Sequence, residues 1–168
     1  MSTRCNIIIK DESKDKLIFY RHSDGYPEGT LPTLKKFMSW VENSKIRNNV
    51  PQAAGWLIMI GATEYGRVYV GGGKYEQKPS LTEPQTDLDH ITGWQVGAYE
   101  PTTDIHSDIE YLYTLDLITL TITIQKVTGK NKYKTIDTIK DFSEPKPEPT
   151  QAEVLASYNQ DPEALEII

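Results

Sequence analysis

The sequence predicts an α+β domain: an antiparallel β-sheet, made of an N-terminal hairpin and a C-terminal meander, with two helices packed on one face. Three observations point to it. Two short β-branched runs, at residues 5–10 and 16–22, flank the polar turn Asp11-Glu12-Ser13-Lys14-Asp15. Two stretches with helical apolar periodicity follow, at residues 30–43 and 49–60. The clearest strand patterns then lie at residues 109–115 and 118–127. In residues 118–127 Thr119, Thr121 and Thr123 oppose Ile118, Leu120, Ile122 and Ile124. Polar residues out and apolar residues in is the pattern of an antiparallel sheet with one solvated face.

The first strand, Cys-Asn-Ile-Ile-Ile-Lys, is short and apolar and reads as buried. On the second, alternation sends Ile18, Tyr20 and His22 to one face and Leu17, Phe19 and Arg21 to the other. The chain then turns through His22-Ser23-Asp24-Gly25-Tyr26-Pro27. Thr30 is a fair N-cap with Pro32 in the first turn, and Leu34, Phe37, Met38 and Val41 recur on one side of a helix reaching about Asn43. A second helix starts at Asn49-Val50-Pro51 and runs through Gln52 to Ile60. It is apolar nearly all round, with Ala53, Ala54 and Gly55 suited to close backbone approach.

Residues 61–74 carry two glycine patterns that imitate phosphate sites. Gly61 and Gly66 have P-loop spacing, but the lysine and the Ser/Thr are missing and a helix precedes them, so the P-loop reading is rejected. Gly71-Gly72-Gly73-Lys74 could cradle an anion with backbone N–H groups; a hairpin or lid after a strand at residues 67–70 is the plainer reading. Residues 75–89, with Pro79 and Pro84, form a long polar loop. Further strands are expected at 93–99, 109–115, 118–127 and, after the turn at Gly129-Lys130-Asn131-Lys132, at 133–139. Residues 1–142 form one domain. Residues 143–168 form a proline-rich linker and an acidic tail, partly helical or disordered, with a capping box at Thr150-Gln151-Ala152-Glu153.

That tail holds six acids against one base. It therefore accounts for five of the six net negative charges and leaves residues 1–142 near neutral. Without a basic stripe, a nucleic-acid polymer is not the expected ligand. A single cysteine, Cys5, excludes an internal disulfide and a cysteine-based zinc site. No apolar run approaches a membrane span and no signal segment opens the chain, so a cytoplasmic protein is expected.

Two tripeptides repeat, His22-Ser23-Asp24 and His106-Ser107-Asp108, each beside an expected strand. If the meander pairs with the hairpin, their ends could meet. Two imidazoles and two carboxylates would then suit a divalent metal that activates water against a phosphodiester, with Asp87, Asp89 and His90 as further ligands from the long loop. The plainer reading makes His22 and Asp24 turn-capping groups. A second constellation is aromatic. Tyr and Trp far outnumber Phe, and rings near Arg4, His22 and Lys74 could stack a base while the cations meet phosphate.

The opening Thr3-Arg4-Cys5-Asn6-Ile7, followed by Tyr20-x-His22-x-Asp24-Gly25-Tyr26-Pro27, resembles a family of small uncharacterised phage and prophage proteins. These open with T-R-x-N/S-I and carry H-x-D-G-Y-P. Asp108-Ile109-Glu110-Tyr111-Leu112-Tyr113 is similar to their D-x-E-Y-x-Y strand. The likeness covers residues 1–30 and, more loosely, the meander; it implies no activity of its own. Ser23 stands where members often have an aromatic residue. A phage origin implies, by analogy only, an accessory protein that acts on the host, for instance by sequestering a nucleotide signal of host immunity in the host cytoplasm.

The expectation is a homo-oligomeric binding protein for a small nucleotide-like ligand, without cofactor. Arg4 and Lys74 would meet phosphate, Tyr26 and Trp94 would stack, His22 and Asp24 would orient, and Tyr20 and Tyr111 would complete the site. The alternatives are a metal-dependent phosphodiesterase using His22, Asp24, His106 and Asp108, and an inhibitor that binds a host protein through the acidic tail.

Overall fold

The computed structural model describes residues 2–13, 16–64, 67–77, 84, 98–143, 151–152 and 155–156. Strands β1 (Cys5–Lys10) and β2 (Lys16–Arg21) form the opening hairpin. Helices α1 (Pro27–Glu42) and α2 (Val50–Glu64) follow. Next come β3 (Arg67–Gly71) and β4 (Lys74–Gln77), then β5 (Glu100–Thr102) and the meander β6 (Tyr111–Asp116), β7 (Thr121–Gly129) and β8 (Lys132–Ile139). The α+β reading holds. Six strands make one sheet in the order β5-β2-β1-β6-β7-β8, while β3 and β4 pair separately as a hairpin. Among the described residues no helix is long and apolar enough to cross a membrane.

One pair departs from the expected antiparallel pattern: β1 and β6 run parallel, Ile7 opposite Tyr113. The reason lies in connectivity. A hairpin at the N-terminus and a meander at the C-terminus must share a seam. The chain enters that seam from a crossover, which is the connection a parallel pair requires.

The sheet buries both faces unequally. Cys5, Ile7, Ile9, Phe19, Tyr113, Leu115, Ile122 and Ile124 meet the helices through Leu34, Phe37, Met38, Trp40, Leu57 and Ile60. Trp40 and Trp56 pack edge to face across the two helices, centroids 6.4 Å apart. The periodic positions Leu34, Phe37, Met38 and Val41 are all buried, as a one-sided helix requires. On the opposite face a smaller cluster, Ile8, Ile18, Tyr20 and Leu112, is roofed by residues 103–110 through Ile105 and Ile109. That segment carries the chain from β5 across β2 and β1 to β6.

Element ends shift for local reasons. α1 starts at Pro27 with Tyr26 as its cap residue, because the Thr30 hydroxyl donates back to Asp24 O (2.7 Å) and leaves the cap position to the turn. α2 extends past Ile60 to Glu64. Its close approach falls at Gly61, where an added Cβ would lie 2.7 Å from the Tyr99 ring, while Gly55 faces open space. Residues 71–73 are the turn of the β3–β4 hairpin, all three glycines at positive φ. Ile118, Thr119 and Leu120 belong to the β6–β7 turn rather than to the start of a strand. The Asp116 carboxylate holds that turn by accepting from the N–H groups of Ile118 and Thr119. Of the strand expected at 93–99, residues 93–97 lie outside the described residues, and Ala98 and Tyr99 are buried without joining a strand. Phe142 closes the core. In the tail, residues 151–152 and 155–156 are helical, and the rest lies outside the described residues.

Candidate functional site

The three sequence motifs converge at one end of the sheet. Along residues 4–7, at the start of β1, alternation turns Arg4 and Asn6 toward the crossover, and Cys5 and Ile7 toward the helices. Asn6 is fully buried. Its Nδ2 donates to Phe19 O (2.9 Å) and its Oδ1 accepts from the His106 N–H (2.8 Å), so one amide ties β1 both to β2 and to the crossover. Thr3 O accepts from Gly25 N (3.0 Å) and Arg4 O from Glu110 N (2.9 Å). The Tyr113 hydroxyl reaches under the sheet end to Gly25 O (2.7 Å).

Tyr20 is the centre of the polar cluster that results. The His106 ring stacks on it at 3.9 Å and 23°, and the His22 ring meets it edge-on at 4.4 Å and 78°. Its hydroxyl donates to Asp108 Oδ2 (2.9 Å), and Arg4 Nε pairs with the same oxygen at 3.5 Å. His22 Nε2 lies 3.0 Å from Glu100 Oε2, a contact set by the β2–β5 register that puts Glu100 opposite Tyr20. The repeated tripeptides thus do meet, through their histidines. Their aspartates diverge: Asp108 serves Tyr20 and Arg4, while Asp24, held at φ 56°, sits 3.4 Å from the Tyr26 hydroxyl. Among the described residues no three His, Cys, Asp or Glu side chains are grouped to hold a metal ion.

The other expected site residues are dispersed. Tyr26 is exposed at the head of α1. Tyr111 points to the helix face, stacked on Tyr113 (6.4 Å), on the other side of the sheet from Tyr20. Lys74 opens β4 of the separate hairpin. Trp94, Asp87, Asp89 and His90 lie outside the described residues. Tyr20 itself is only 5% exposed, so its ring supports the cluster and offers no open face for stacking.

Sequence reasoning missed Glu100 and the anchor beneath the turn. Arg21 is 1% exposed and forms a two-pronged pair with Glu64 at the end of α2 (2.9 and 2.7 Å). Its Nε donates to Ser23 O (2.7 Å), and the guanidinium lies 5.3 Å from the Tyr99 ring centroid. The Tyr99 hydroxyl is buried with no hydrogen-bond partner among the described residues. A long-range pair between residues 21 and 64 leaves no local pattern for a sequence reader to find.

Burial shapes the titration of this region. It raises the Cys5 thiol to about 12, against the opposing pull of Arg21. Burial, then the bond to Asp108 and its charge, raise the Tyr20 phenol to about 12. Burial also raises Tyr99 and Tyr113. Each group holds its proton more tightly folded than unfolded, so the stability it contributes is complete below its unfolded value and is lost above it. Stability should therefore fall progressively from pH 9.0 for Cys5, and from pH 10.0 to about 12 for Tyr20. Urea unfolding at pH 8 and 10.5 checks this; equal midpoints would contradict it.

Comparison with protein-family models, with curated proteins and with solved structures yields no match for this chain.

Proposed function

We propose that the chain is a binding protein for a small nucleotide-like ligand, held at the cluster around Tyr20 between the His22–Tyr26 turn and the crossover. The observation that carries this reading is the placement of partly exposed donors and acceptors, Arg4, His22, Asp108 and Glu100, on one rigid aromatic base. Such a site binds through fixed polar groups whose rotamers are locked by packing and hydrogen bonds beneath them. The resemblance of the opening motifs to phage proteins extends the proposal: a phage accessory protein that sequesters a nucleotide signal of its host.

The charge balance revises one expected role. The cluster sets the Arg4 guanidinium among two carboxylates, Asp108 and Glu100, and Arg4 is already paired with Asp108. Phosphate is repelled here, so the cluster suits the base end of the ligand.

Calorimetric titration of the full chain with a panel of linear and cyclic nucleotides tests the proposal. At least one ligand should bind and be recovered unchanged, and Arg4→Ala and His22→Ala should each weaken it about tenfold, ~1.4 kcal/mol. A panel without binders, or binding untouched by both variants, would overturn it.

A further inference from the structure

We infer that the edge of β8 is a docking surface for the acidic segment that follows Ser143, with residues 144–149 added to it as a further strand. The inference is independent of the Tyr20 cluster.

β8 ends the sheet, and among the described residues no strand pairs with its outer edge. It is exposed at every residue except Tyr133 and Ile139, and Ile136 in its middle is 47% exposed. An edge of this length is a template for further pairing, so native sheets cover it, bend it or charge it. Here the charge has one sign. Lys126, Lys130, Lys132 and Lys134 are all exposed around the β7–β8 turn, and among the described residues none of the four is in an ion pair. The register sets Lys126 directly opposite Lys134. Like charges in that position destabilise a strand pair, and an anionic neighbour relieves it. The two strands carry a single acid, Asp137, whose carboxylate accepts from the Thr138 N–H (2.8 Å).

Charge, position and pattern identify the chain's own segment as that neighbour. Residues 143–168 hold six acids against one base. Just beyond β8 the Asp141 carboxylate accepts from the N–H (2.9 Å) and the hydroxyl (2.6 Å) of Ser143, a turn next to the buried Phe142. Lys134 and Glu148 stand equally far from Asp141 along the chain, so an extended return sets Glu148 beside Lys134. The pattern is the sharpest of the three. Residues 144–149 read Glu-Pro-Lys-Pro-Glu-Pro. In an extended strand alternate residues present their N–H groups to the same side. Glu144, Lys146 and Glu148 then donate toward β8, while Pro145, Pro147 and Pro149, which have no N–H, face solvent. Proline is tolerated in a sheet at that position, on the outer side of an edge strand. The added strand offers no N–H donors to another chain, so it also closes the sheet. A short tether gives it an effective concentration that a separate peptide lacks.

Amide hydrogen exchange of the full chain, resolved by residue with NMR, tests the inference. In a bare edge strand alternate N–H groups exchange quickly; docking should protect both sets between Lys134 and Thr138. Lys146→Pro removes the middle donor facing β8, and Glu148→Lys reverses the charge beside Lys134. Both substitutions lie beyond the folded body. Each should speed exchange of the outward-facing amides at least tenfold and leave the inward-facing set unchanged. Fast outward amides in the parent chain, or protection that survives both variants, would overturn the inference. Protection that fades on dilution would put a second copy at the edge and overturn it as well.

Discussion

Glu64→Ala should lower the unfolding free energy by about 3–5 kcal/mol, the cost of removing one partner from a buried ion pair. Arg21 has almost no solvent contact, and the Glu64 side chain is only 15% exposed. Removing the carboxylate leaves a guanidinium desolvated between the end of β2 and the end of α2. Its bonds to Ser23 O and, at 3.4 Å, to Gly29 O are to neutral carbonyls. The double variant Arg21→Met/Glu64→Met should recover much of the loss, because similar volume replaces the charges and none remains buried. Urea unfolding gives the answer: the midpoint falls sharply in Glu64→Ala and partly returns in the double variant, with the m-value unchanged. A Glu64→Ala midpoint equal to that of the parent would mean that water reaches Arg21 in the folded state.

Gly25→Ala is the second large effect. Its Cβ would stand 2.9 Å from both the Arg4 carbonyl carbon and the Cys5 nitrogen, which are backbone atoms of a central strand. Neither side can yield without lengthening the bonds from Gly25 N to Thr3 O and from the Tyr113 hydroxyl to Gly25 O. Overpacking of this kind costs about 1–3 kcal/mol. The lone cysteine reports it independently. Cys5 is fully buried beside the turn and its thiol is raised to about 12, so the native protein should react slowly with a disulfide reagent at pH 8. In Gly25→Ala the turn lifts from β1 and labelling should quicken. Parental stability together with parental labelling would show that the turn can shift at no cost.

Local patterns carried most of the architecture. Alternation on residues 16–22 placed Tyr20 and His22 on one face and Arg21 on the other, and that is where they lie. The α1 stripe and the threonine alternation gave a helix against a sheet with a meander. What sequence could not carry was long-range. The parallel β1–β6 seam depends on where the chain returns, and no periodicity encodes that. β5 is three residues around Pro101, too short and too proline-bound to announce itself, yet it brings Glu100 to His22. The site was legible in part. The paired His-Ser-Asp tripeptides do come together at one end of the sheet, where both histidines pack on Tyr20. Tyr111 was misplaced for a simple reason: it lies one residue from Leu112, and in a strand that puts it on the opposite face. Much of the motif chemistry is also internal. Asn6, Gly25 and Tyr113 are tied into the backbone around them, and the polar groups left facing solvent are fewer than the motifs suggest.

The most direct measurement of the central claim is a side-chain NMR titration of the three histidines, His22, His90 and His106, in the full chain. The added ligand is an equimolar mixture of the four nucleoside monophosphates. Ligand at the Tyr20 cluster should move the ring signals of His22 and His106 together, with one dissociation constant. Binding that leaves both signals in place, or that moves His90 alone, would put the ligand elsewhere and contradict the account.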